Sequence, residues 1–179
     1  MSVWQAYIDD IAFTFRKHKT MAEKAFAQLD AADFFRKPGE HSNSVAIIVK
    51  HLSGNLASRF TDFLTTDGDK SWRDRDAEFV IGPDDTRDAL LAAWEKGWDA
   101  LFDALAKLDE RDWLKRVTIR GEEHTVLQAL HRALAHTAYH VGQITYLARL
   151  LKTDGWTWIT IAPGQSKQHS AQRKPYLKP

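Results

Sequence analysis

ALHRALAHTAYHVGQITYLARLL, residues 129–151, decides the fold. Its apolar side chains return every three or four positions, the period of one face of an α-helix. Thr125 with Gln128 matches a capping box just upstream, so the helix is expected to start there and run to about Lys152. His136 and His140 stand one turn apart, about 40° from each other on a helical wheel. Both fall inside the apolar arc of Val126, Ala129, Ala133, Ile144, Leu147 and Leu151, and so point into the protein. An i, i+4 histidine pair is the simplest way for one helix to offer two ligands to one metal ion.

Working outward, SVAIIVKHLSGNLASRFTDFL, residues 44–64, reads as a second amphipathic helix capped by Asn43 or Ser44. Val45, Ile48, Leu52, Leu56 and Phe63 make its apolar arc. His51, Asn55 and Arg59 make a polar stripe beside that arc. Polar groups facing a core are costly unless paired, so the stripe reads as the wall of a site. Gly54 costs about 1 kcal/mol relative to alanine inside a helix, which points to a close helix–helix contact.

Residues 3–29 read as another long helix, with Val3, Tyr7, Ile11, Phe15, Ala22, Phe26 and Leu29 on one face. A polar connection, TTDGDKSWRDRDAEFVIGPDD at 65–85, follows the second helix. A third helix starts at Asp84, Asp85 or Thr86 and carries the stripe Leu90, Trp94, Trp98, Leu101, Leu105 and Leu108. VTIRGEEHTV, residues 117–126, has the look of a small β-hairpin around Arg120-Gly121. Residues 153–179 are expected to be irregular, anchored by Trp156 and Trp158. Four long amphipathic helices with two long connections predict an all-α four-helix bundle forming a single domain over residues 1–179.

Composition limits the function. Lys plus Arg number 25 against 24 Asp plus Glu, so no global field draws the chain to nucleic acid or anionic lipid. With no cysteine among 179 residues, disulfides, thiolate metal sites and a cysteine nucleophile are excluded. Asp9 and Asp10 interrupt the first apolar run, which predicts no secretory leader, and no stretch is apolar enough for a membrane span. The expected location is the cytoplasm. Trp4, Trp72, Trp113, Trp156 and Trp158 exceed the needs of one small core, and predict a homodimer.

His51, His136 and His140 together offer three imidazoles to one ion and leave a position for water or substrate. His131 lies outside the pair's face. His18, His41, His124 and His169 sit near turns or on polar faces and are expected to be solvated. Thr137 occupies the place where an HExxH protease carries its glutamate, so that chemistry is excluded. No carboxylate lies near the pair in sequence. Arg59, with Arg73 or Arg75 from the connection, could hold an anionic group.

These elements resemble the DinB/YfiT-like superfamily. IIVKHLSGN around His51, HTAYHVGQI around His136 and His140, the helix order and the tail segment APGQS carry the resemblance over nearly the whole chain. It is closest to a less characterised branch with the loop SRFTDFLTTDGDKSWRDRDAEF. The resemblance implies an up-down-down-up bundle, often dimeric. It also implies one divalent metal, zinc or nickel, on His51, His136 and His140. Characterised members of that superfamily are thiol-dependent S-transferases and a mycothiol-dependent isomerase; others carry only a hydrolase or damage-inducible label. The implied function is a metal-dependent enzyme that activates a low-molecular-weight thiol or water against a small electrophile, with Asn55 and Arg59 orienting the incoming group. The alternative is a non-catalytic, stress-related metal-binding protein.

Overall fold

The computed structural model describes residues 1–172. It is mostly helical, with one two-stranded sheet. The helices are α1 (Val3–Phe26), α2 (Ala31–Phe35), α3 (Val45–Phe60), α4 (Arg87–Lys107), α5 (Val126–Leu151) and α6 (Ser166–Ala171). The strands are β1 (Arg116–Ile119) and β2 (Glu122–Thr125). Helix α3 packs along α4 and α1 along α5, while α3 also meets α5 and α1 meets α4. One continuous apolar cluster lies between these four long helices. Trp94 and Trp98 of α4, Phe15 of α1, Leu52 and Leu56 of α3 and Ile144 of α5 are among its fully buried side chains. Among the described residues no helix is long and apolar enough to cross a membrane.

Side-chain caps set where the long helices begin. Ser2, Ser44, Thr86 and Thr125 each accept a backbone N–H from the first turn of α1, α3, α4 and α5. Thr125 and Gln128 form the expected capping box. The helix ends differ from expectation. The first helix stops at Phe26, and Asp30 caps the separate short helix α2, so Leu29 is buried from a turn. The second long helix stops at Phe60, because Thr61 is extended and Asp62 adopts a φ of 48°. Phe63 still reaches the core. In the tail, α6 interrupts the expected irregular run; residues 173–179 lie outside the described residues.

The hairpin forms as expected, in the register Val117 to His124 and Ile119 to Glu122. Arg120 and Gly121 both have positive φ, at 56° and 75°, as a two-residue turn between twisted strands requires. The long connection is tied to this turn. Asp67 accepts the backbone N–H groups of Arg120 and Gly121, each at 2.9 Å, and Gly68 donates to Thr118 O at 2.8 Å. Its other end is held by Lys50, which reaches Val80 O at 2.9 Å and Asp85 at 2.7 Å. The segment between is thereby fixed over α3, and carries the 3-10 turn Ala77–Phe79 against it.

The tryptophans are largely absorbed within the chain. Trp4 is buried and meets Trp113, with ring centroids 5.6 Å apart. Trp156 packs partly against the core, and Trp158 lies under Arg149. Only Trp72 and Trp158 stay exposed, so the surplus expected from the sequence is smaller than counted.

Two helical glycines predict opposite effects on stability. A Cβ at Gly97 of α4 would stand 2.8 Å from Ser53 O of α3, and backbone cannot move aside. Gly97, not Gly54, is the glycine of the helix–helix contact. Gly97→Ala should lower the urea midpoint, with overpacking of about 1–3 kcal/mol outweighing the helix-propensity gain of about 1 kcal/mol. A Cβ at Gly142 of α5 meets nothing within 4 Å. Gly142→Ala should therefore raise the midpoint, through a stability gain of up to about 1 kcal/mol.

Candidate metal centre

The apolar arc of α5 turns His136 and His140 inward, and α3 brings His51 to meet them. His136 Nε2 lies 3.3 Å from His51 Nε2 and 3.2 Å from His140 Nε2. One nitrogen from each ring falls within 4.8 Å of the others, and the group could hold a metal ion. Nitrogens at adjacent corners of a tetrahedron around zinc, with bonds of about 2.0–2.1 Å, stand roughly 3.3 Å apart. The two short edges match that spacing.

The outer nitrogens fix which atoms face the centre. His51 Nδ1 donates to Glu78 Oε2 at 2.8 Å, and His140 Nδ1 donates to Gln143 Oε1 at 2.8 Å. A carboxylate and an amide oxygen only accept, so both protons sit on Nδ1 and both Nε2 lone pairs point inward. His136 Nε2 can donate a proton to one of them at most. At least one of the two Nε2 lone pairs is then left without a donor, an arrangement that a cation relieves. Protonation is a poor remedy. Burial, followed by the neighbouring His140, His51, Arg73 and Arg59, lowers the His136 pKa to about 3. The donor set thus fits a divalent ion of borderline softness. His136 Nδ1 is buried and has no hydrogen-bond partner among the described residues.

Glu78 is the residue that sequence spacing did not reveal. It stands 27 positions from His51, in the polar connection, and is only 6% exposed. Arg73 forks onto it, Nε to Oε1 at 2.7 Å and Nη2 to Oε2 at 2.9 Å. Burial pushes the Glu78 pKa up, but the hydrogen bonds from His51 and Arg73 outweigh burial and hold it below the usual carboxylate range. The chain therefore does bring a carboxylate to its histidines. Both oxygens are engaged, so Glu78 orients His51 rather than standing free as a base. A sequence signal existed: Gly54 follows His51 by three positions on the same helix face. A Cβ at Gly54 would overlap Glu78 Oε1 and sit 2.9 Å from its Cδ. The glycine admits the carboxylate.

Asn55 and Arg59 line a cavity of about 230 Å³ together with His51 and His136. Arg59 is less free than its spacing suggested. Its Nη1 donates to Gly68 O, and Asp69 lies 3.6 Å away. Burial first, then the charge of Arg73, lowers its pKa to about 10 against the opposing pull of Asp69. Arg73 and Arg75 also border the cavity, but Arg73 is committed to Glu78, while Arg75 lies over the Phe79 ring and pairs with Asp76. Phe79 in turn contacts the His51 ring at 4.8 Å. His131 is exposed beside Tyr7, away from the three. His18 is half-buried rather than solvated, and burial lowers its pKa.

A family described as "Protein of unknown function (DUF1572)" matches residues 2–165. The chain belongs to the DUF1572 family. DUF1572 lies within the DinB/YfiT-like group, in agreement with the motifs around His51 and His136. No curated protein and no solved structure matches the chain. The DUF1572 match takes in all three histidines, Glu78 and Gln143.

Metal content distinguishes the roles. His51→Ala, His136→Ala and His140→Ala should each abolish stoichiometric metal in elemental analysis, and His131→Ala should retain it. Glu78→Gln and Gly54→Ala should weaken affinity roughly 10- to 100-fold, because both disturb the group that orients a ligand. Equal metal in His131→Ala and His136→Ala would sink the assignment.

Proposed function

We propose that this protein is a metal-dependent enzyme in which His51, His136 and His140 hold one divalent ion, zinc or nickel, within a DinB/YfiT-type four-helix bundle. The observation that carries the reading is the meeting of three imidazole Nε2 atoms beside a cavity large enough for a small molecule, with His51 and His136 in its wall. A structural site closes with a fourth protein ligand. Here the group contains three histidines only among the described residues, which leaves a position for an exogenous group.

A divalent ion in this place supplies positive charge that favours the ionised form of a bound thiol or water. The chain supplies the rest. Three neutral ligands leave the ion its full charge, which favours an anionic fourth partner. Glu78 and Gln143 keep His51 and His140 in the ligating tautomer. Asn55 and Arg59, on the cavity side of His51, would orient the incoming group. Cysteine is absent and the one buried carboxylate beside the histidines is engaged. The nucleophile is therefore taken from outside, and we assign a low-molecular-weight thiol first, water second.

Cobalt-loaded protein tests this. Titration with glutathione or another small thiol should produce an intense near-ultraviolet sulfur-to-cobalt band with a defined stoichiometry. If no thiol alters the spectrum and the loaded protein turns over no electrophile with thiol or water, the enzyme reading fails and a non-catalytic metal-binding protein replaces it.

We further propose a homodimer that covers the α5 stripe of Tyr139, Tyr146 and Leu150, large apolar side chains left exposed on one helix. Sedimentation at micromolar concentration should give about twice the 20.5 kDa of one chain. Tyr146→Asp should shift it towards the single chain.

A further inference from the structure

The cavity beside the three histidines is walled by arginines from four separate segments. Arg59 comes from α3, Arg73 and Arg75 from the long connection, Arg120 from the hairpin turn and Arg132 from α5. Among the described residues no acidic side chain lines it. The acids nearby are already taken: Glu78 by Arg73 and His51, Asp69 between Arg120 at 3.3 Å and Arg59 at 3.6 Å, and Asp76 by Arg75. Arg132 forms no ion pair among the described residues. The Arg73 side chain is 2% exposed, yet its Nη1 has no hydrogen-bond partner among the described residues. A buried guanidinium N–H without an acceptor is costly, and a bound anion would satisfy it.

The remaining wall is apolar: Phe60, Phe63, Ile119, Ala129 and Ala133. His51 and His136 complete it. A ligand here meets guanidinium groups, hydrocarbon and the side chains of His51 and His136. We propose that this cavity is the substrate pocket and that its occupant is a small dianion, carrying two carboxylates or one phosphate on a short apolar body, held by Arg59, Arg73, Arg120 and Arg132. Planar guanidinium forks recognise both oxyanions in two-point fashion. The volume, about 230 Å³, falls below the roughly 300–1,000 Å³ of sites for drug-sized ligands, so the occupant is small. This inference rests on the proposed function for the chemistry at the histidine end, but the arginines bind the anion with or without a metal.

Calorimetric titration tests the pocket apart from the metal. The probes are succinate, inorganic phosphate and neutral succinamide, each added to chelator-treated protein and to zinc-loaded protein. Saturable binding of succinate or phosphate to the chelator-treated protein, with none of succinamide, supports the pocket; which of the two binds more tightly identifies the oxyanion. Arg132→Gln and Arg120→Gln, at exposed positions that do not threaten folding, should each weaken that binding roughly tenfold, the loss expected for a hydrogen bond between charged groups. Arg149→Gln, on α5 but outside the cavity wall, should leave it unchanged. Anion binding in a protein that takes up no metal would uphold the pocket and overturn the metal reading. Anion binding that appears only with zinc and ignores both arginine variants would place the anion on the metal, and overturns the pocket while the metal reading stands. No saturable binding in either form also overturns it.

Discussion

The Nε2 atoms of His51 and His140 stand 3.3 and 3.2 Å from His136 Nε2 beside the hydrophobic core, and the surrounding structure is arranged to hold them there. Neutral imidazoles whose lone pairs face one another repel. Burial also lowers the pKa of His136 and of His140, so protonation of those two rings is a poor way to relieve the repulsion. Such a cluster is stable only where the fold over-determines each ring. Glu78 holds one, Gln143 holds another, and Phe79 covers the face of the first. The outer hydrogen bonds, rather than the rings, set the direction of the lone pairs.

That requirement explains the long connection after α3. A polar segment of this length would ordinarily be loose. Here its start is fastened to the hairpin turn through Asp67 and Gly68, and its end to α3 through Lys50. Between the anchors it delivers Arg73, Glu78 and Phe79 to the histidine side of α3. The hairpin has a matching purpose. It provides the surface on which the connection docks, and Thr118, Ile119 and Arg120 as cavity wall. Gly54 and Gly68 permit the close approaches: a Cβ on the first would meet Glu78, and one on the second would stand 3.0 Å from Arg59 Cδ.

Charge follows the same layout. The chain as a whole is nearly neutral, at +1, yet among the described residues the cavity wall gathers five arginines and no acid. Burial first, then the charges of Arg73, Arg120 and Arg132, lowers the Arg59 pKa. Mean composition therefore hides a local field. A wall of that charge favours an anionic partner, while the neutral histidine lone pairs beside it favour a cation.

Local sequence was enough for the long helices, the Thr125 cap, Ser44 and Thr86 among the alternatives for two other caps, the hairpin and the inward pair His136 and His140. Each of those depends on neighbours within a few positions: a 3.6-residue period, a Thr–Gln capping box, an Arg-Gly turn. It also placed His51, Asn55 and Arg59 on one stripe, because i, i+4 and i+8 share a helix face. Only the tertiary structure decided what joins them. Glu78 and Arg73 lie in a segment without periodicity, and Arg120 and Arg132 lie in elements whose local patterns say nothing of their neighbours. The tryptophans show the same limit. Counting them predicted an exposed surplus, whereas packing put Trp4 against Trp113 inside the chain. Local sequence encodes the direction a side chain takes from its own helix; which side chain it meets there is decided by how distant segments pack.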